Sequence, residues 1–282
     1  MVNNLATLKT SWLFLNIFMV ILMVIIGGIT RLTDSGLSMT EWKLISGIIP
    51  PLTQEDWNIK FELYKQSPEF LLKNFDISLS EFKKIFFWEY FHRIWGRLIG
   101  ITFFIPFLIL WYKKQFSENE KKYFCVLLIL GCFQGFLGWF MVESGLVNKP
   151  DVSHFRLSAH LVTAFVIYAL LLNAFWNNLN KNNHGYTVKN ISKRYGKNLF
   201  YLKLSIFMVF LTISSGAFVS GTNAGWAYNN FPYMGDNFLP PILLNEETKN
   251  LTILFNDIGF IQFFHRLLAT LTLIIVSTTL IG

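Results

Sequence analysis

Apolar residues run through this chain in six long blocks, near residues 11–29, 87–112, 122–142, 155–176, 199–218 and 258–281. A helix needs roughly 20 apolar residues to cross about 30 Å of hydrocarbon, so each block predicts a spanning helix. Two connections are long. In residues 30–86, Thr53-Gln54-Glu55-Asp56 reads as a helix start, and the stretches 55–65 and 79–87 are amphipathic. That pattern predicts short interfacial helices rather than a separate domain. In residues 219–257, Pro240-Pro241 precedes another helical stretch. The fold class expected is an all-α polytopic membrane protein.

Composition agrees. Only 15% of residues are charged, against roughly 25% in soluble domains, while 53% are hydrophobic. The net charge of +7 comes from clusters: Lys113, Lys114, Lys121 and Lys122 border one connection, and Lys181, Lys189, Lys193, Arg194 and Lys197 fill another. The remaining connections are mixed or acidic, as at Asp236, Glu246, Glu247 and Asp257. Orientation explains these clusters without a nucleic-acid partner: the amino terminus and the basic loops face the cytoplasm, and the two long loops face outward. Trp12 to Ile26 runs into Gly27-Gly28 with no small-residue cleavage site, so it reads as a retained helix. With no Arg- and Ser-rich leader, the expected location is a bacterial inner membrane. Cys125 and Cys132 read as small buried apolar side chains, and no zinc or c-type haem spacing is present.

The first and last parts of the chain resemble each other. Gly28-Ile29-Thr30-Arg31-Leu32-Thr33 closes the first helix and Pro50-Pro51 follows, while Gly216-Ala217-Phe218-Val219-Ser220-Gly221 closes the fifth and Pro240-Pro241 follows. Each loop then enters a helix with a His-Arg pair, His92-Arg93 or His265-Arg266. This predicts tandem-duplicated four-helix halves: residues 1–180 carry helices one to four and residues 181–282 carry helices five and six. Six of an expected eight helices are present, so the chain reads as truncated by about two.

The chemistry gathers at these pairs. On one face of a helix, Glu89, His92 and Arg93 sit at i, i+3 and i+4, and ionisable groups at membrane depth usually serve a function. His92, His160 and His265 lie at matching depth in the duplicated frame. A b-type haem needs two imidazoles facing each other across a bundle. His92 with His160 would make one pair, and His265 half of a second. Interhelical hydrogen bonding is the plainer role for any one of them. Arg93, Arg97, Arg156 and Arg266 lie near the same boundary and suit haem propionates; snorkelling to lipid phosphate is the alternative. His154 is expected as a solvated loop residue and His184 as a loop residue without function. Where the first copy has Glu89, the second has Gln262. A carboxylate can move protons and an amide cannot titrate, although Glu89 could simply pair with Arg93.

Together, Gly27-Gly28-Ile29-Thr30-Arg31-Leu32-Thr33-Asp34-Ser35-Gly36-Leu37-Ser38, Glu89-Tyr90-Phe91-His92-Arg93, Gln134-Gly135-Phe136-Leu137-Gly138-Trp139, Met141-Val142-Glu143-Ser144-Gly145-Leu146 and Phe264-His265-Arg266 resemble the haem A synthases of proteobacteria and mitochondria. The resemblance implies an oxidoreductase that converts haem O to haem A, taking one ring methyl to a formyl group by successive hydroxylations. It implies a substrate haem at His92 and His160, a catalytic Glu89, and a haem b cofactor at His265 that relays electrons. Haem O synthase is the implied deliverer of substrate, and the electron donor stays open. The loop cysteine pair of some family members is absent here. A diheme cytochrome that only transfers electrons is the rival reading, and a transporter without haem a third.

Overall fold

A computed structural model describes residues 2–41, 46–146, 150–182, 196–244 and 250–281. His184, Lys189, Lys193, Arg194, Glu246 and Glu247 lie outside the described residues. Helices account for all the regular structure among the described residues. The α-helices are α1 (Val2–Leu32), α2 (Gln54–Tyr64), α3 (Pro68–Leu72), α4 (Leu79–Tyr112), α5 (Glu118–Leu146), α6 (His154–Asn182), α7 (Gly196–Thr222), α8 (Pro241–Leu244), α9 (Leu251–Leu254) and α10 (Ile258–Ile281), with short 3-10 turns at Ser46–Ile48 and Ala224–Trp226. Six of these, α1, α4, α5, α6, α7 and α10, are long and apolar enough to cross a membrane. The chain is a multi-pass membrane protein.

Helix α2 starts where expected. The Thr53 hydroxyl accepts from the Asp56 N–H while the Asp56 carboxylate accepts from the Thr53 N–H, a capping box. Residues 79–87 differ from expectation. They form no separate interfacial helix but are the first turns of α4, because Ser78 and Glu81 build a second capping box there and no proline separates them from the apolar stretch that begins at residue 87.

The contacts divide the chain into two compact units, residues 1–152 with 163–182, and residues 153–162 with 183–282. In the first unit, Trp12, Leu13, Ile17 and Val20 of α1 pack against Phe103, Phe107 and Leu110 of α4, with Phe124 and Leu127 of α5 and Leu171 of α6. Polar contacts set the register of these helices: the Trp12 and Trp95 indole N–H groups donate to the Thr102 and Met19 carbonyls, both at 3.0 Å. Lys9, buried beneath Phe116 and Phe124, pairs with Glu120 at 2.6 Å. In the second unit, α7 and α10 are joined by hydroxyl pairs, Ser205 with Thr279 at 2.9 Å and Thr212 with Thr272 at 2.7 Å. In lipid, where apolar surface gives helices little reason to associate, small residues and hydroxyl pairs supply that attraction.

The loop between α1 and α4 has its own aromatic core, in which Tyr64, Phe82 and Phe86 are buried and Met39, Trp57, Phe61 and Phe70 pack around them. Glu69 lies inside it, 4% exposed. It accepts a hydrogen bond from the Tyr64 hydroxyl at 3.0 Å, which itself accepts from the Asn74 amide at 2.8 Å. Burial pushes the Glu69 carboxyl up to about 8, with the Glu89 and Asp34 carboxylates adding to the effect. The folded chain thus keeps a proton that an unfolded glutamate releases near 4.5, and stability falls as pH rises between those values. Thermal unfolding in detergent should begin earlier at pH 8 than at pH 5. Glu69→Gln should flatten that slope; an unchanged slope would mean that the proton resides elsewhere.

Candidate functional site

Helix α1 ends in a sharp turn. Asp34 takes a left-handed conformation (φ 47°), and the Ser35 N–H returns to the Thr30 carbonyl at 2.9 Å. The chain then passes over α4. There the Glu89 carboxylate, 3% exposed, accepts from the Ser38 hydroxyl and the Met39 N–H, both at 2.7 Å and both on Oε2. Its Oε1 pairs with Arg93 Nη2 at 2.5 Å. Arg93 donates to the Met39 and Glu41 carbonyls as well, each at 3.1 Å. The i, i+4 ion pair foreseen for these residues exists, and it forms a clamp on the loop. His92, half-buried on α4, sets its ring against α1 at Gly27: a Cβ there would lie 3.3 Å from His92 Nε2.

The second unit repeats this arrangement. Asn223, just after α7, is left-handed (φ 56°). Gln262 Oε1 accepts from the Tyr228 N–H at 3.1 Å, while its amide donates to the Gly225 and Tyr228 carbonyls. Arg266 donates to the Tyr228 and Tyr233 carbonyls. A Cβ on Gly216 would lie 3.2 Å from His265 Cε1. Gly27, Asp34 and Met39 therefore match Gly216, Asn223 and Tyr228 with one constant offset. Sequence comparison alone pairs Gly28 with Gly216, one residue away. In a Gly-Gly dipeptide only the glycine facing the imidazole is constrained, and letters alone do not reveal which one that is.

The remaining candidates are placed as follows. Arg97, half-buried, is one turn beyond Arg93 on α4. Arg156 and His160, also half-buried, lie on the first turns of α6, in the second unit, whereas His92 is in the first. His154 is not a solvated loop residue. It begins α6, its Nε2 is 3.0 Å from the Phe255 carbonyl, and its ring packs on Phe155 and Phe218. It lies close against α7 at Gly221: a Cβ on that glycine would meet His154 Cβ at 2.8 Å.

Two features escaped sequence reasoning. Loop residues Ser38 and Met39 hold the Glu89 carboxylate, a contact across about 50 residues with no local signal. Ser215, 3% exposed, has its hydroxyl 2.8 Å from His265 Nδ1; its signal was the residue before the matched glycine.

Removing a partner from a buried ion pair costs about 3–5 kcal/mol, because the other charge stays behind. The side chains of Glu89 and Arg93 are 4% and 8% exposed. Glu89→Ala should lower stability by about that amount, read from denaturant or thermal unfolding. Glu89→Gln should cost less, since an amide oxygen can still accept from Ser38 and the Met39 N–H, and the held loop keeps the Met39 and Glu41 carbonyls on Arg93. Equal losses in the two variants would contradict this account of the clamp.

Residues 10–282 match the family model COX15-CtaA, described as cytochrome oxidase assembly protein. A protein of Nitrosospira multiformis named heme A synthase is 46% identical over 258 residues, covering 92% of this chain and 71% of the relative. One of Rickettsia prowazekii with the same name is 43% identical, covering 92% of this chain and 75% of the relative. Another, of Rhodospirillum centenum, is 43% identical over 94% of this chain and 69% of the relative. No solved structure matches the chain.

Proposed function

The chain belongs to the cytochrome oxidase assembly protein family, and from that premise we propose that it is a haem A synthase, an oxidoreductase converting haem O to haem A in the membrane. The observation that carries the mechanism is the contrast between Glu89 and Gln262. Both fasten a loop to the helix that bears the histidine, and both have an arginine four residues on that binds the same loop. An amide does this work in the second copy, so fastening alone does not call for an ionisable group. The carboxylate at Glu89 is therefore assigned to chemistry.

Taking a methyl to a formyl group is a four-electron oxidation that needs an oxygen source and an electron acceptor, and a carboxylate near the reacting carbon can take up or hand on a proton in such a reaction. A carboxylate offers about four lone-pair sites. Glu89 has two filled on Oε2 and one on Oε1. The remaining Oε1 site is where we place that proton. Arg93 and the Ser38–Met39 segment fix the direction of the carboxylate. His92 and His160 would each offer an imidazole to the substrate haem, and Arg97 and Arg156 would each offer a guanidinium to a propionate. A haem b held by His265, beside Arg266, would supply one-electron redox chemistry. His265 suits that role: its ring is seated against a glycine, and its Nδ1 is hydrogen-bonded. The two copies then read as a duplicated frame, with the amino terminus in the cytoplasm of a bacterial inner membrane and delivery of substrate by haem O synthase.

Haems extracted from cells and separated chromatographically test this. Loss of the gene should remove haem A and leave haem O to accumulate; undiminished haem A would refute the activity. Glu89→Gln, in which the loop stays fastened, should reduce haem A formation about 10²–10⁴-fold, the span of a general base. A normal rate in that variant would remove Glu89 from the chemistry.

A further inference from the structure

We infer that Ser215 is a positioning residue that locks His265 in the Nδ1–H tautomer and so keeps Nε2 available as a firmly held iron ligand. This inference rests on the reading of His265 as a haem ligand. The hydrogen bonds assign the tautomer. The Ser215 hydroxyl donates to the Thr212 carbonyl at 3.0 Å, one turn back on α7. A hydroxyl has one hydrogen to give, so its contact with His265 Nδ1 at 2.8 Å is one in which the ring donates. The proton therefore sits on Nδ1, and the lone pair is on Nε2. Such outer hydrogen bonds fix the orientation of a ligating histidine and raise its basicity.

Two further observations hold this arrangement in place. Gly216, next in the chain, lets the ring lie so close that a Cβ there would stand 3.2 Å from His265 Cε1, which leaves little room to turn the imidazole over. Below it, the Thr212 hydroxyl donates to the Met208 carbonyl at 2.9 Å and lies 2.7 Å from the Thr272 hydroxyl. The carbonyl that receives the Ser215 proton is thus on a turn tied to α10.

The first copy differs at this point. With Gly27 matched to Gly216, the counterpart of Ser215 is Ile26, a buried side chain that forms no hydrogen bond. Ser215 thus has no hydroxyl counterpart at the matched position of α1.

Ser215→Thr and Ser215→Val, which match in shape and differ in the hydroxyl, test this in the full-length chain. Nitrogen-15 NMR of the labelled histidines, without haem, reads the tautomer directly. Wild type and Ser215→Thr should show His265 as Nδ1–H, and Ser215→Val should shift it toward Nε2–H. With haem b added, Ser215→Val should release it about ten- to hundredfold faster, the usual effect of losing such an outer contact, and shift its midpoint potential. An unchanged tautomer in Ser215→Val would overturn the inference. A shifted tautomer in a chain that takes up haem b in neither form would leave the hydrogen bond correct and refute the haem reading of His265.

Discussion

The arrangement at the mouth of α4 depends on one interaction, the buried carboxylate of Glu89 held between Arg93 and the loop that leaves α1. A charge at this position is costly unless it is paired and its lone pairs are filled. Here the pairing partners come from both sides, a guanidinium on the same helix and an N–H and hydroxyl on the loop. The loop cannot move without stranding the charge, and the side chain cannot be removed without freeing the loop. This interdependence fixes where the α1–α4 connection crosses the helix, and with it the surroundings of His92.

The same construction without a charge stands in the second unit, and the comparison shows which parts are general. A left-handed residue turns the chain after α1 and α7, a backbone N–H meets a side-chain oxygen three residues before the histidine, and an arginine binds loop carbonyls. A small residue under the imidazole completes it. Left-handed backbone is tolerated best by Gly, Asn and Asp, so Asp34 and Asn223 suit their places. The general parts position a histidine. The parts that differ are Glu89 against Gln262 and Ile26 against Ser215.

Spanning helices were legible because hydrocarbon imposes a length and a composition on every one of them. The last, Ile258–Ile281, runs as its apolar block does, and the capped helix at Gln54 follows from Thr53 and Asp56. Residues 79–87 misled, since amphipathicity marks a helix lying on a surface and the polar start of a spanning one alike; the capping box at Ser78 decides between them. His154 misled for a related reason, as Pro150 and Asp151 suggest a loop while the helix start is set by packing against Phe218 and Gly221. The His-Arg pairs and the Glu89–Gln262 contrast were legible as letters. What those residues touch was not, because Ser38, Met39 and Tyr228 are brought to them by turns whose register only the fold determines.

Glu69 belongs in the same physical frame. It is a second buried carboxyl in the α1–α4 connection, and the charge of Glu89 helps to keep it protonated. Two carboxyls that feel each other share a constraint: stabilising a proton on one makes ionisation of the other easier. Glu89 has Arg93 bound to its carboxylate, whereas Glu69 accepts from the Tyr64 hydroxyl and Lys73 only weakly opposes the effect of burial. Burial is what raises the Glu69 carboxyl, and the neighbouring Glu89 carboxylate adds to that shift. A protonated Glu69 therefore brings no second negative charge into the connection that the Glu89 clamp fastens.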